Sequence, residues 1–349
     1  MLTTLLTLGL ILAACGGSDD DGDSSNGDSE FEEQTWAFIT EEQEGQVQYV
    51  YAEEFAKRID EKTDGAITVE PYEFGGLGTE TDQVEQLQNG TAQLAVTSPG
   101  FIGNTVKESQ IFGLHFLFPD SVEKTHEILT NSEAINEDLV KKYEEIGIEP
   151  LAFWTEGGMQ WTSDRPIEKP SDFEGFKMRI QGSKLQEESY KRYDADPTSM
   201  SWGELYTGLE NGTVQGQENP IFFIADASFH EVQDYMTISN HNNYVATTTV
   251  NSEWYNGLND AEKELVDETV EELQGWVFEE QKRQNDEFLS VIEDSEEYPT
   301  EVIRLTEEQR AEFQKLAEPA RDFYRDEVST EGGAILDKLE KEIEEATSE

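Results

Sequence analysis

A single cysteine, Cys15, occurs in 349 residues. An internal disulfide and thiol catalysis within the folded part are both excluded. Basic residues are the second scarcity: 24 Lys and Arg stand against 77 Asp and Glu, a formal net charge of −53. A pI near 4.1 argues against nucleic acid, because phosphate binding needs clustered Lys and Arg. The acids are spread along the chain, which points to a solvated surface suited to high salt rather than to a cationic partner. Catalytic signatures are missing too. No His-Glu-x-x-His, Gly-x-Ser-x-Gly, phosphate-cradling glycine loop or dinucleotide fingerprint occurs. The four histidines, His115, His126, His230 and His241, are scattered without zinc-like spacing and read as satisfied surface or core histidines. Carboxylate pairs of the hydrolase kind carry no weight, since 77 acids supply them by chance. An enzyme, a cofactor and a metal are therefore not expected.

Long hydrophobic runs are absent as well. The N-terminal "MLTTLLTLGLILAACGG" holds an apolar run of about ten residues, too short to span a bilayer. It ends in Leu-Ala-Ala-Cys, which resembles a lipoprotein signal in which Cys15 is lipidated and becomes the mature N-terminus. No Lys or Arg precedes Lys57, so the usual basic n-region is missing. Residues 16–33 are Gly, Ser and acid, unable to build a core and suited to a solvated tether.

The remainder is rich in what a folded chain needs. With 36% hydrophobic residues, 18 Phe, 12 Tyr and 6 Trp, it supports two lobes of ordinary size. "TWAFIT" (35–40) reads as a strand, residues 44–65 as a helix closed by Gly65, and "ITVEPYEF" as a second strand, so the sheet is expected to be mainly parallel. "LQNGTAQLAVTSPGF" (87–101) and "LENGTVQGQENPIFF" (209–223) share one grammar: helix end, Asn-Gly-Thr, strand, proline-containing loop. Two similarly built α/β lobes follow. Ser171 to Glu174 and Ser201 to Glu204 fit capping boxes. Residues 260–294 hold no proline and keep Leu265, Val270, Leu273, Val277, Phe288 and Ile292 at helical spacing. A helix of that length reaches about 50 Å and lies along both lobes.

In open α/β sheets, ligands bind beyond the carboxyl ends of the strands. The loops there carry Glu41 and Glu42, Ser98 to Phe101, Arg179, and Asn219 to Phe223. Facing each other, these make a clamp for a small zwitterion: a carboxylate and aromatics against a guanidinium and an amide. Each member also has a plainer role. Arg179 can pair with an acid such as Glu174, Asn219 can serve as a turn former, and Phe101, Trp202, Phe222, Phe223 and Tyr244 can be core.

"KPSDFEGFKMRI", "SWGELYTGLENGTVQGQENP", "GLHFLFPD" and "FHEVQDYMTISNH" together resemble the substrate-binding proteins of tripartite ATP-independent periplasmic (TRAP) transporters. The resemblance implies a two-lobe clamp with a long helix spanning both lobes. It also implies a periplasmic or outer-face receptor that delivers an organic solute to TRAP permease subunits. The lobes are expected at 34–154 plus 245–280 and at 155–244 plus 281–349, after a signal at 1–15. Within the family, "TWAFITEEQEGQVQ", "SPGF", "SWGELY" and "QENPIFF" look most like the ectoine-binding receptors. That likeness implies Glu42 for the ring nitrogens, Arg179 and Asn219 for the carboxylate, and Phe101, Trp202, Phe223 and Tyr244 around the ring. Phe223 stands where a tryptophan is expected and Tyr244 where a phenylalanine is. Met159 falls where many organic-acid receptors carry a further arginine. A monocarboxylate, dicarboxylate or sugar acid remains as alternative ligand, and a secreted enzyme using an acid as base or a lipid-anchored adhesin as alternative class.

Overall fold

The computed structural model describes residues 31–348. The expected signal, Cys15 and residues 16–30 of the tether lie outside them.

The first strand, β1 (Gln34–Ile39), is built from Thr, Trp, Phe and Ile and is covered on both faces. Helix α1 (Val47–Lys62) turns Val47, Tyr51, Phe55 and Ile59 inward at helical spacing. The strand β2 (Ile67–Tyr72) follows, and β1 pairs with it in parallel, as the spacing predicts. After α2 (Glu80–Gln88) comes β3 (Leu94–Thr97), parallel to β1, then the short helix α3 (Pro99–Ile102). Helix Trp202–Glu210, β8 (Gly216–Asn219) and helix Ile221–Asp226 repeat this order. The two copies agree in detail. Gly90 and Gly212 take φ of +76° and +70° just past their helices. Asn89 and Asn211 each accept the backbone N–H two residues on, at 3.0 and 2.9 Å.

The sheets are mixed rather than mainly parallel. The first has the order β2-β1-β3-β10-β4, and β10 (Asn243–Asn251) runs antiparallel to both β3 and β4 (Ile148–Gly158). The second has the order β11-β9-β5-β8, and β5 (Gln160–Ser163) runs antiparallel to β8 and to β9 (Tyr235–Ile238). Only β11 (Glu301–Arg304) is parallel to its neighbour there. The reason is the route of the chain. It leaves the first sheet at Gly158, joins the second at Gln160 and returns through residues 239–242 into β10, so each crossing strand enters its sheet against the local direction. The two crossings are tied where Met159 N donates to Asn242 O at 2.8 Å. A two-stranded ladder, β6 (Arg179–Ile180) with β7 (Thr198–Ser199), adjoins β8 through the Met178–Gly216 bridge.

The long helix is present at Asp260–Glu293, started by a capping box on Asn259 and Glu262. Its Leu265, Val270, Leu273 and Val277 pack with Phe38, Phe55 and Trp154 of the first sheet, whereas Ile292 packs with Leu205, Ile224 and Met236 of the second. One helix thus lies along both. The last helix, Thr330–Thr347, puts Ile335, Leu336 and Leu339 into the core around Ile39 and Phe153 of the first sheet, although the expected division set 281–349 with the second lobe. Of the two expected capping boxes, Ser201 does stand at the start of its helix, but its Oγ meets the Glu204 side chain at 3.2 Å and caps no backbone N–H, so the box is not formed. At Ser171 the cap belongs instead to Asp172, whose carboxylate accepts the N–H groups of Glu168 and Lys169.

Leu273→Ala is expected to lower the unfolding free energy by about 2–5 kcal/mol, because it opens a cavity under the long helix. Val291→Ala, on the exposed face, is expected to change it by less than about 0.5 kcal/mol. Urea denaturation followed by circular dichroism measures both.

Candidate functional site

Arg179 begins β6, held by its pairing with Thr198. Its side chain is buried, at 2% exposure. Nε donates to the carbonyl of Met200 at 3.0 Å, and Nη2 is buried with no partner. Every other arginine among the described residues has a carboxylate within 4.0 Å, including the partly covered Arg58 and Arg321, and Arg179 has none. Burial lowers its pKa to about 10, so the guanidinium stays charged at neutral pH. A buried charge with an open donor is costly unless an anion meets it.

The loop after β1 supplies acid. Glu42 Oε2 accepts the Gln48 N–H at 2.7 Å, where α1 begins, while Oε1 is buried and unpartnered. Glu41 accepts the Ser98 N–H at 3.1 Å through one oxygen and leaves the other unpartnered. A third carboxylate, Glu156 on β4, was not among the residues sequence reasoning selected. The Gln48 side chain donates to it at 2.9 Å, and its Oε2 is buried without a partner. Burial raises the pKa of Glu41 to about 8. Burial also raises those of Glu42 and Glu156, and Glu156 beside it pushes Glu42 further up.

Aromatic rings gather around Tyr244, which neighbours both the acids and the guanidinium. The Trp202 and Phe223 ring centroids are 5.1 Å apart, and those of Phe223 and Tyr244 5.7 Å. Tyr244 lies within the electrostatic reach of Glu41, Glu156 and Glu42 and also of Arg179. Phe222 stacks on Phe223 at 4.3 Å, fully buried and so part of the core. Phe101, on α3, is half-buried and makes no ring contact with the other aromatic residues, among the described ones, though Ser98, Pro99 and Gly100 just before it line a cavity with Tyr244. Asn219 ends β8, paired with Gln160, and its side-chain amide donates to Gln217. Met159 is buried at the crossing and lines the same cavity as Tyr244.

Residues 38–327 match the family described as bacterial extracellular solute-binding protein, family 7. The chain belongs to this family. The ectoine-binding periplasmic protein TeaA of Halomonas elongata is 35% identical over 314 residues, 90% of this chain and 91% of that protein. Its high-resolution structure superposes with a TM-score of 0.85 over 89% of this chain and 99% of that one. The ectoine/5-hydroxyectoine-binding periplasmic protein UehA of Ruegeria pomeroyi is 33% identical over 88% of this chain and 90% of its own length. The C4-dicarboxylate-binding periplasmic protein DctP of Rhodobacter capsulatus is 31% identical over 80% and 83%. The chain is therefore a TRAP solute receptor, which binds a small molecule and works with membrane permease components. No helix among the described residues is long and apolar enough to cross a membrane.

One cluster in the receptor corrects the reading of scattered histidines. His115 and His241 are brought to a ring-centroid distance of 4.7 Å beside Glu218, all buried. This is the one group of three among the described residues whose donor atoms are close enough for a metal ion. The donors are already engaged with one another. His241 Nε2 meets Glu218 Oε2 at 2.6 Å and its Nδ1 meets Ser239 at 2.7 Å, while Tyr190 donates to the same carboxylate. His115 Nδ1 meets Tyr193 at 3.1 Å. Burial lowers the pKa of His115 to about 3, so its ring is neutral. The network reads as a satisfied polar core under β8, with His115 Nε2 alone left open.

The buried Glu41 sets a pH dependence. Its folded pKa of about 8 exceeds the ordinary 4.5, so between these values the folded state binds more protons than the unfolded one. The stability held by the protonated form is therefore complete below the lower value and lost as pH rises through the upper, at up to about 1.4 kcal/mol per pH unit. In urea titrations of ligand-free protein at pH 5, 6.5 and 8, wild type is expected to lose more stability across the range than Glu41→Gln.

Proposed function

We propose that this receptor binds ectoine or hydroxyectoine between its lobes and hands it to a sodium-coupled TRAP permease. The observation that carries the reading is Arg179, a buried guanidinium with an unpartnered Nη2 near Tyr244, whose acidic neighbours Glu41, Glu42 and Glu156 each keep one oxygen without a partner. Ectoine joins a delocalised cyclic cation to a carboxylate a few bonds away. In this reading Arg179 takes the carboxylate, with Asn219 beside it, and Glu42 takes ring nitrogen. Trp202, Phe223, Tyr244 and Phe101 enclose the ring, each worth roughly 0.5–2 kcal/mol toward a desolvated cation. Two relatives above 30% identity are named for ectoine binding, which supports the assignment. The dicarboxylate-binding relative keeps a second reading open, an organic acid. Against it, such a ligand brings no cation to the Glu42 wall, and Met159 stands where a further arginine would serve a second carboxylate. The Leu-Ala-Ala-Cys sequence and the acidic tether support lipid anchoring through Cys15 on the outer face of the cytoplasmic membrane.

Titration calorimetry with ectoine, hydroxyectoine, a C4-dicarboxylate, pyruvate and a uronate tests the assignment. Heat is expected from the first two, and heat from the acids alone refutes it. Arg179→Ala is expected to weaken binding at least about 100-fold, from the loss of two charge-assisted hydrogen bonds. Arg179→Lys keeps the charge and loses the fork, so a smaller loss is expected. Unchanged affinity in Arg179→Ala would mean that the arginine is structural.

A further inference from the structure

Glu156 occupies an irregular place in β4. Across the ladder with β10, Tyr244 pairs with Gly157 and Val245 with Thr155, so Glu156 is the extra residue of a β-bulge. A bulge re-aims one side chain out of the regular alternation of a strand, a device common beside binding sites. This one is held in place. Gly157 takes φ of +113°, and a Cβ there would lie 2.7 Å from the Asn285 amide nitrogen. That same nitrogen, from the long helix, donates to the Glu156 carbonyl at 2.8 Å. The bulge delivers the carboxylate to Gln48. Gln48 donates its backbone N–H to Glu42 at 2.7 Å and its side chain to Glu156 at 2.9 Å, which sets two buried carboxylates side by side with one open oxygen each. Most buried polar atoms find a partner, and a buried acid with an open oxygen is costly to keep.

A six-membered cyclic amidinium has two N–H bonds that diverge on either side of the carbon between the nitrogens. One carboxylate can meet one of them squarely but not both. We propose that Glu156 is a second ligand-contacting carboxylate: Glu42 Oε1 takes one N–H and Glu156 Oε2 the other, so that the receptor selects a cation with two divergent N–H donors. This rests on the reading of the solute given above. The groups facing the pair are Glu41 from the same loop as Glu42, Tyr244 from β10 and the Gln48 amide, with Glu80 of α2 beyond Glu41. No Lys or Arg figures among the charges acting on Glu42 or Glu156, and the groups acting on Arg179 are Tyr244, Glu80 and Glu218. Two such carboxyls in an empty site hold a proton between them at neutral pH, and the arriving cation replaces it. A single proton in all leaves to the buffer when the two N–H groups bond to the two carboxylate oxygens.

Calorimetry at pH 7 in phosphate and in Tris, whose ionisation enthalpies differ, reads that proton. Wild type is expected to bind ectoine with proton release, and to show no heat with trimethylglycine, a zwitterion with no N–H. Glu156→Gln is expected to weaken ectoine binding roughly 10- to 100-fold and to abolish the buffer dependence. No ectoine heat from wild type overturns the solute assignment itself. Ectoine binding by wild type with affinity and proton release unchanged in Glu156→Gln overturns the role of Glu156 alone. Should that variant misfold, a crystal structure of the wild-type complex decides: separate carboxylates within about 3.2 Å of the two nitrogens support the inference, and both nitrogens on Glu42 refute it.

Discussion

Burial of ionisable groups that lack a full set of partners is the constraint on which the site depends. Arg179 and the carboxyl groups of Glu41, Glu42 and Glu156 are taken out of water, the guanidinium without an ion pair and each carboxyl with one oxygen that accepts no N–H or hydroxyl. Desolvation of this kind costs several kcal/mol per ion in real proteins, and a fold tolerates it only where something else gains. Here the gain belongs to the complex. A solute with one anionic and one cationic end satisfies both walls at once, so its binding free energy comes largely from groups whose desolvation was completed during folding. The aromatic rings keep water out between the walls, which strengthens every charge contact within. Such a receptor is less stable empty than it would be with its charges removed, and it recovers stability by mass action when solute is present.

The acid coat and the acid wall act at different ranges. At the surface, many of the basic residues are taken up in exposed ion pairs such as Lys57–Glu54 and Lys191–Glu187, which contribute little individually. Fields from such charges fade within about 8 Å at physiological ionic strength, and sooner in stronger brine. Selection between solutes therefore falls to the buried groups, which salt does not screen. In the proposed reading a single unpaired guanidinium admits one carboxylate, and the acids near Tyr244 disfavour a second. Met159 reinforces this by placing an apolar side chain beside Tyr244 in the cavity at the crossing.

Local signals carried much of the fold into the sequence. The Asn-Gly-Thr repeat was readable because helix ends need a left-handed residue and a side chain to cap the turn, and both copies meet that need in the same way. The long helix was readable because its apolar positions keep one period through two cores. Arg179 stood out because cations are few and it ends a strand, and its lack of an ion pair bears on the plainer reading in which Glu174 neutralises it. What stayed hidden depends on distant pairing. Strand direction in β10 and β5 is set by the chain crossing between sheets twice, which no window of ten residues encodes. The meeting of His115 with His241 and Glu218 joins segments more than a hundred residues apart. Glu156 was one acid among 77, and its only sign was the Gly157-Gly158 pair interrupting a strand, a mark of a bulge that was not read as one.

The crossings also bear on how a solute reaches the walls. The cavity lined by Ser98, Gln181, Met159 and Tyr244 measures about 30 Å³, room for a water or two and far less than a ring-bearing solute needs. The aromatic rings beside it touch one another, so the site is reached only when the loops of the two sheets separate. Three connections resist that separation: the strand crossing at Met159, the return at residues 239–242, and the long helix packed against both cores. The first two are single backbone passages tied by the hydrogen bond from Met159 to Asn242, so small rotations there move the sheets apart without breaking either core. Because Tyr244 and the bulge at Glu156 lie within a few residues of those passages, a rotation there would also displace the groups that, in the proposed reading, meet the solute's charges. On that reading, capture and closure are one event, driven by neutralising the walls.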